Sequence, residues 1–166
     1  DLDWRDDEPS VVRVRPACPS DDPILQAIAR TIYHDSRFYF DRGFSRESCA
    51  ALYETWIRCS REGAADTVLV AEVEGRPVGY VACHLCDDSH GRIGLVGVAD
   101  EVRGCGVGRA LICRALRWFQ GQGVQIVSIT TQGRNIAAQR LYQQCGFLTQ
   151  SVQVWYHKWM RRTSQG

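Results

Sequence analysis

The sequence lacks the features that mark several common classes of protein. It has no excess of either charge, because 20 lysine and arginine residues face 19 acidic residues, and it contains no long basic run. This balance argues against nucleic acid or an anionic membrane as the main partner. No segment approaches 18 uninterrupted apolar residues, and neither a signal peptide nor a repeat is visible. We therefore expect one domain, whose 45% hydrophobic content suffices for a well-packed core.

The eight cysteines do not form a pattern typical of disulfides or of a metal site. They lie inside helical and strand-like stretches, which favours reduced, packed thiols and a cytoplasmic protein. Cys83 and Cys86 form a C-x-x-C pair, but the sequence has no second pair to complete a zinc site. We therefore predict no metal.

A glycine-rich loop joins an apolar strand to a helix in the second half of the chain. The strand is expected over residues 93–98, and the helix begins directly after Gly104, Gly106 and Gly108. Alternate glycines leave backbone N–H groups uncovered, and the helix start adds further unpaired N–H groups with a partial positive charge. Such a loop binds phosphate or pyrophosphate. The spacing does not fit a dinucleotide-binding fingerprint, because Arg109 stands where the third glycine would be. The phosphate-loop motif of nucleoside triphosphatases is also absent.

A second motif follows after a β-branched strand at residues 125–131. Asn135 is expected to cap a helix that ends before Gly146, and Tyr142 lies about two turns beyond Asn135 on roughly the same face. The pattern is N-x-x-A-x-x-x-Y-x-x-x-G-F.

These two motifs, in this order, are similar to those of the GCN5-related N-acetyltransferases. The resemblance covers roughly residues 10–160, so we expect tails at 1–10 and 161–166 around a single domain at 11–160. It implies an α/β fold with a central mixed, mostly antiparallel sheet of about six or seven strands and helices on both faces. We expect the last strand at Val152–Met160. The resemblance also implies acetyl-CoA as co-substrate and no metal. The residues that it assigns to the coenzyme are Val96, Val98, Arg103, Gly104, Gly106, Val107, Gly108, Arg109 and Asn135.

By the same resemblance, Tyr142 directs its hydroxyl at the thioester sulfur. A phenol with a pKa of about 10 is protonated at neutral pH and can serve as general acid toward a departing thiolate. The alternative is that Tyr142 is only a core aromatic on an amphipathic helix. The sequence indicates no general base.

The chain is also similar to the TDP-fucosamine N-acetyltransferases within that family, in matching pieces at Ser36–Phe38, Tyr53 with Trp56–Ile57, 92–95, 115–118 and Thr131–Gln132 before Asn135. Arg37 is expected to pair with a diphosphate, while Phe38 and Trp56 stack on a base or sugar ring. The interpretation is therefore an N-acetyltransferase that acts, as a monomer or homodimer, on the primary amine of a nucleotide-linked amino sugar. Alternatives are a protein N-terminus, a polyamine or an aminoglycoside as acceptor, or a non-catalytic acetyl-CoA-binding module. The aromatic residues can also simply pack the first helices on the sheet.

Overall fold

The sheet determines the architecture of the chain. A computed structural model describes residues 11–160. Its strands lie side by side in chain order; they are β1 (Val12–Pro16), β2 (Thr67–Val73), β3 (Arg76–Leu85), β4 (His90–Val98) and β5 (Ile126–Ile129). The helices are α1 (Asp22–Ile32), α2 (Arg37–Phe40), α3 (Arg46–Cys59), α4 (Val107–Gly121) and α5 (Ile136–Gln144). Within residues 11–160, no helix is long and apolar enough to cross a membrane.

The pairing of β4 with β5 differs from the rest of the sheet. Strands β1 to β4 are antiparallel to one another, whereas β5 runs parallel to β4. The parallel ladder joins only His90–Ile93 to Ile126–Ile129, although β4 continues to Val98. The C-terminal half of β4 therefore borders a gap on the β5 side.

Both faces of the sheet are covered by helices. Because successive side chains of a strand point to opposite faces, Leu69 and Val81 pack in one apolar cluster and Val70 and Tyr80 in another. The first cluster takes in α4 and the end of α5, and the second takes in α1 and α3. The expected mixed, mostly antiparallel sheet with helices on both faces is confirmed.

The predicted C-terminal strand is wrong, and the sheet of the described residues accordingly has five strands rather than six or seven. Residues 151–160 have no regular secondary structure. Trp159 Nε1 donates to the Asp41 carboxylate at 2.9 Å, and His157 Nε2 lies 2.7 Å from its other oxygen. The alternation of apolar and polar residues in this segment is the local pattern of a strand, but the pattern alone does not supply a neighbouring strand to pair with. The segment makes these side-chain contacts instead of pairing its backbone with a strand edge.

Candidate active site

The gap between β4 and β5 exposes backbone groups of β4. Ala99 N–H donates to Val78 at 2.8 Å, so alternate residues of β4 direct their peptide groups toward β3. The intervening residues, Val96 and Val98, then direct theirs toward the gap. The Val96 carbonyl accepts a hydrogen bond from the Tyr33 hydroxyl there, at 3.1 Å.

The glycine loop lies at the end of this strand and presents a set of free amides. Gly104 and Gly106 have φ values of 79° and 83°, in the left-handed region that favours glycine. Helix α4 begins at Val107 with Gly106 as its N-cap. The N–H groups of Gly104, Gly106, Val107, Gly108 and Arg109 have no acceptor among residues 11–160. Five donors at a helix N-terminus suit a diphosphate.

The two arginines of this region are engaged with neighbours on the protein. Arg103 forms an exposed ion pair with Asp100 at 2.8 Å. Arg109 is exposed on α4 and hydrogen-bonds the thiol of Cys113, one turn further along the helix. An anion in the loop would compete with Asp100 for the charge of Arg103.

Helix α5 brings its two predicted site residues to the same region. A β-carbon built on Gly108 would lie 3.0 Å from Leu141, so α5 packs against the first turn of α4. Asn135 is the N-cap, as expected, and its Oδ1 accepts from Ala138 N–H at 3.1 Å. Its amide N–H groups remain available, because they have no partner within residues 11–160. Tyr142 stands two turns further along.

Burial raises the pKa of Tyr142 to about 12, and the nearby Cys145 adds to the shift. The hydroxyl has no hydrogen-bond partner among the described residues. Tyr142 is therefore a protonated phenol at neutral pH whose proton is not committed to another group.

Tyr33 is a feature of the site that the sequence did not reveal. Its ring stacks on Tyr53 at 4.1 Å, and Tyr53 in turn stacks on Trp56 at 6.0 Å. Burial raises the pKa of Tyr33 well above its ordinary value, with a smaller contribution from Tyr142, which places the two phenols near each other. The sequence did not predict this role, because Tyr33 follows the apolar residues of α1 and nothing in that pattern distinguishes it from a core residue.

The three predicted acceptor residues belong to one connected group of aromatic contacts. The Arg37 guanidinium is 5.0 Å from the Phe38 ring centroid and 5.4 Å from that of Trp155. Phe38 reaches the partly exposed Trp56 only through Tyr53, which packs against both rings. Sequence reasoning missed Trp155, because its strand assignment placed that residue in the sheet.

A second arginine lies over another ring of the same segment. The Arg134 guanidinium is 3.5 Å from the ring centroid of Phe40, which is largely exposed. We name the group Arg37, Phe38, Phe40, Arg134 and Trp155 the arginine–aromatic surface. It joins α2 to the loop before α5 and to the C-terminal segment.

Within residues 11–160, no contact identifies a general base. Glu54 is paired with Arg30 at 2.8 Å. Burial lowers the pKa of His84, and Arg92 contributes to that shift. We assign no base.

Comparison with known proteins gives sugar-related and other relatives at low identity. The chain is 27% identical over 154 residues to the spore coat polysaccharide biosynthesis protein SpsD of Bacillus subtilis, covering 93% of this chain and 53% of that protein. It is 27% identical over 141 residues to the dTDP-fucosamine acetyltransferase of Escherichia coli O6:H1 (84% and 60% covered). It is 30% identical over 160 residues to the mycothiol acetyltransferase of Saccharomonospora viridis (89% and 49%). The chain thus spans about half the length of the curated relatives it matches.

A solved structure agrees in fold. The aminoglycoside acetyltransferase AAC(6')-Iy, in complex with a bisubstrate analogue of coenzyme A, superposes with a TM-score of 0.64 at 17% identity. The match covers 90% of this chain and 99% of that one. A sequence model of the acetyltransferase (GNAT) family matches residues 29–147, from the end of α1 through Phe147, and so includes both motifs. Since that match spans well over half of the chain, the protein belongs to the acetyltransferase (GNAT) family.

Proposed function

We propose that the protein is an acetyl-CoA-dependent N-acetyltransferase whose acceptor is the primary amine of a nucleotide-linked amino sugar. The observation that carries this proposal is the set of backbone amides at Gly104 and from Gly106 to Arg109, which have no acceptor among residues 11–160. It lies at the start of α4, beside a strand whose Val96 and Val98 peptide groups face a gap.

The residues present fit coenzyme A. The loop amides would bind its diphosphate, with Arg103 and Arg109 adding positive charge. Val96 and Val98 offer backbone donors and acceptors to an extended amide chain, as a neighbouring strand would. The amide of Asn135 is a further donor at the mouth of the gap. Bound acetyl-CoA supplies an acetyl group that is activated as a thioester.

Tyr142 supports the catalytic form of the proposal. Its proton is retained at neutral pH because burial disfavours the phenolate. A protonated phenol near the gap can give its proton to a departing thiolate. The neutral amine that attacks the thioester carbon loses one proton as the amide forms, and that proton passes to solvent or restores the phenol. A backbone N–H of β4 that faces the gap can stabilise an oxyanion, which contributes about 3 kcal/mol in other enzymes.

The arginine–aromatic surface supports the acceptor class. Two guanidinium groups over aromatic rings match an anionic diphosphate carrying a planar base. A polyamine or an aminoglycoside is cationic and would require free carboxylates. Asp41, which follows Phe40 in the chain, already binds Gly43 N–H, Trp159 and His157. Two relatives that are named for polysaccharide biosynthesis or for dTDP-fucosamine agree with a sugar acceptor.

The experiment is thiol release from acetyl-CoA against TDP- and UDP-linked amino sugars, with spermidine, an aminoglycoside and a peptide as comparison acceptors. Turnover confined to one nucleotide sugar is the expected result. Turnover on a comparison acceptor alone would support an acetyltransferase activity but contradict a nucleotide-linked amino sugar as the acceptor. Binding of acetyl-CoA without turnover on any acceptor would favour a non-catalytic module.

A further inference from the structure

Two cysteines meet where α4 and α5 pack together, next to the proposed acetyl-transfer site but with no role in it. The helices contact each other where Leu141 packs beside Gly108, and further along both helices Cys113 and Cys145 pack in the same apolar cluster, where their thiols interact. Cys113 lies about one helical turn beyond Gly108 on α4, and Cys145 lies about one turn beyond Leu141 on α5. The two contacts therefore succeed each other in the same direction along both helices. The thiol contact is therefore part of a regular helix–helix packing.

The two thiols differ in their access to solvent. Cys145 is 2% exposed within the core cluster below α4. Cys113 is partly exposed and lines a surface groove of about 170 Å³ together with Leu116, Arg117, Phe119, Val124 and Val127. A small molecule can therefore reach Cys113 but not Cys145.

We propose that Cys113 and Cys145 form a dithiol modification site, which low-molecular-weight disulfides oxidise to an intramolecular disulfide. The accessible Cys113 reacts first and the buried Cys145 resolves the product. This division of roles follows from their exposure and from their direct contact.

Electrostatics around Cys113 supports its role as the attacking group. The hydrogen bond from Cys145 lowers the pKa of Cys113 to about 6, and Arg109 and Arg117 also favour the thiolate. The same hydrogen bond raises the pKa of Cys145, which then acts as the proton donor of the pair. The described residues that line the groove beside Cys113 are apolar apart from Arg117 and two glutamines, so none of them carries a carboxylate.

The chemistry balances in two exchange steps. The Cys113 thiolate attacks one sulfur of R–S–S–R, the S–S bond breaks, and R–S⁻ leaves with the electron pair, giving a mixed disulfide on Cys113. Cys145 then loses its proton to solvent and attacks Cys113 Sγ, and the second R–S⁻ leaves. The protein loses two electrons and two protons, and R–S–S–R becomes two thiols.

The test treats the chain with oxidised glutathione at pH 7, followed by acid quench, alkylation and tryptic mass mapping. Cys113 and Cys145 fall on separate single-cysteine peptides, residues 110–114 and 141–158. The expected product links these two peptides without glutathione. A free thiol on peptide 110–114, while exposed Cys86 has reacted, would overturn the proposal, and so would a glutathione adduct that persists on Cys113 beside a free Cys145.

Variants assign the order of attack. Cys145→Ser should stop at a glutathione adduct on Cys113, and Cys113→Ser should leave Cys145 unmodified. The matched control is Cys59→Ser, which removes a partly exposed cysteine at the end of α3 and should not change the linked product. Between pH 7 and pH 8 the initial rate at Cys113 should stay nearly constant, whereas that of free cysteine rises several-fold. A parallel rise at Cys113 would show an ordinary thiol and contradict its role as a pre-formed thiolate.

Discussion

The hydroxyl of Tyr33 donates a hydrogen bond to the carbonyl of Val96 at 3.1 Å and lies 3.0 Å from the hydroxyl of Tyr80. Because the single proton of Tyr33 goes to Val96, Tyr80 must donate to Tyr33. This relay connects the end of α1 to the part of β4 that faces the gap. It also satisfies the hydroxyl of Tyr80, which is fully buried.

The relay predicts unequal effects of removing its two hydroxyls. Tyr33→Phe leaves the buried Tyr80 hydroxyl unpaired and should lower the free energy of unfolding by about 1–3 kcal/mol. Tyr80→Phe should cost less, because Tyr33 keeps its bond to Val96. Urea unfolding of both variants checks the order, with Tyr39→Phe as a control whose hydroxyl has no partner among the described residues. Equal losses for Tyr33→Phe and Tyr80→Phe would contradict a relay in which Tyr33 keeps its own bond to Val96.

Removing the proposed general acid should affect the rate rather than binding. Tyr142→Phe keeps the ring and its packing, and should lower kcat by about 10²–10⁴-fold while the Kd of acetyl-CoA changes little. Because the pKa of Tyr142 is raised, wild-type activity should show no loss from ionisation of this phenol up to about pH 11, provided that the protein stays folded. Steady-state kinetics measure kcat, and calorimetric titration measures the Kd of acetyl-CoA. Tyr156→Phe, at a fully exposed tyrosine, is the control, and an unchanged kcat in Tyr142→Phe would remove Tyr142 from the mechanism.

Two glycines with the same backbone conformation, one in the loop and one outside it, separate an effect on the diphosphate site from an effect of backbone strain. Gly106 and Gly123 have φ values of 83° and 82°, one at the start of α4 and one just after its end. Valine at either position should cost roughly 1–2 kcal/mol of stability, because a side chain disfavours this conformation. Only Gly106→Val also covers the loop amides, and it should sharply weaken coenzyme A binding. Affinities measured by titration that fall equally in both variants would contradict the diphosphate assignment.

The acceptor surface predicts a loss that depends on the substrate. Arg37→Ala removes a charge-assisted contact to a diphosphate and should raise the KM of a nucleotide-linked amino sugar about ten- to a hundredfold. The KM of acetyl-CoA should stay the same. Arg42→Ala, five residues along the same segment, is the matched control. If both arginine variants raise the acceptor KM alike, general surface charge rather than Arg37 binds the acceptor.

The sequence by itself determined the local features of this protein. The glycine loop, the Asn135 cap and the left-handed Gly146 were readable because short-range backbone geometry requires these residue types. The strand expected at residues 93–98 lies within β4, since an apolar run before a glycine loop suits a buried strand.

Tertiary structure decided what depends on contacts between distant segments. The stack from Trp56 through Tyr53 to Tyr33, and the meeting of Arg37 with Trp155, join parts of the chain that no spacing rule relates. The segment from Val152 to Met160 has the alternation of a strand but pairs with none, because a strand needs a partner edge as well as a pattern. Local propensity acts within a few residues, whereas the position of a site depends on which elements pack against which.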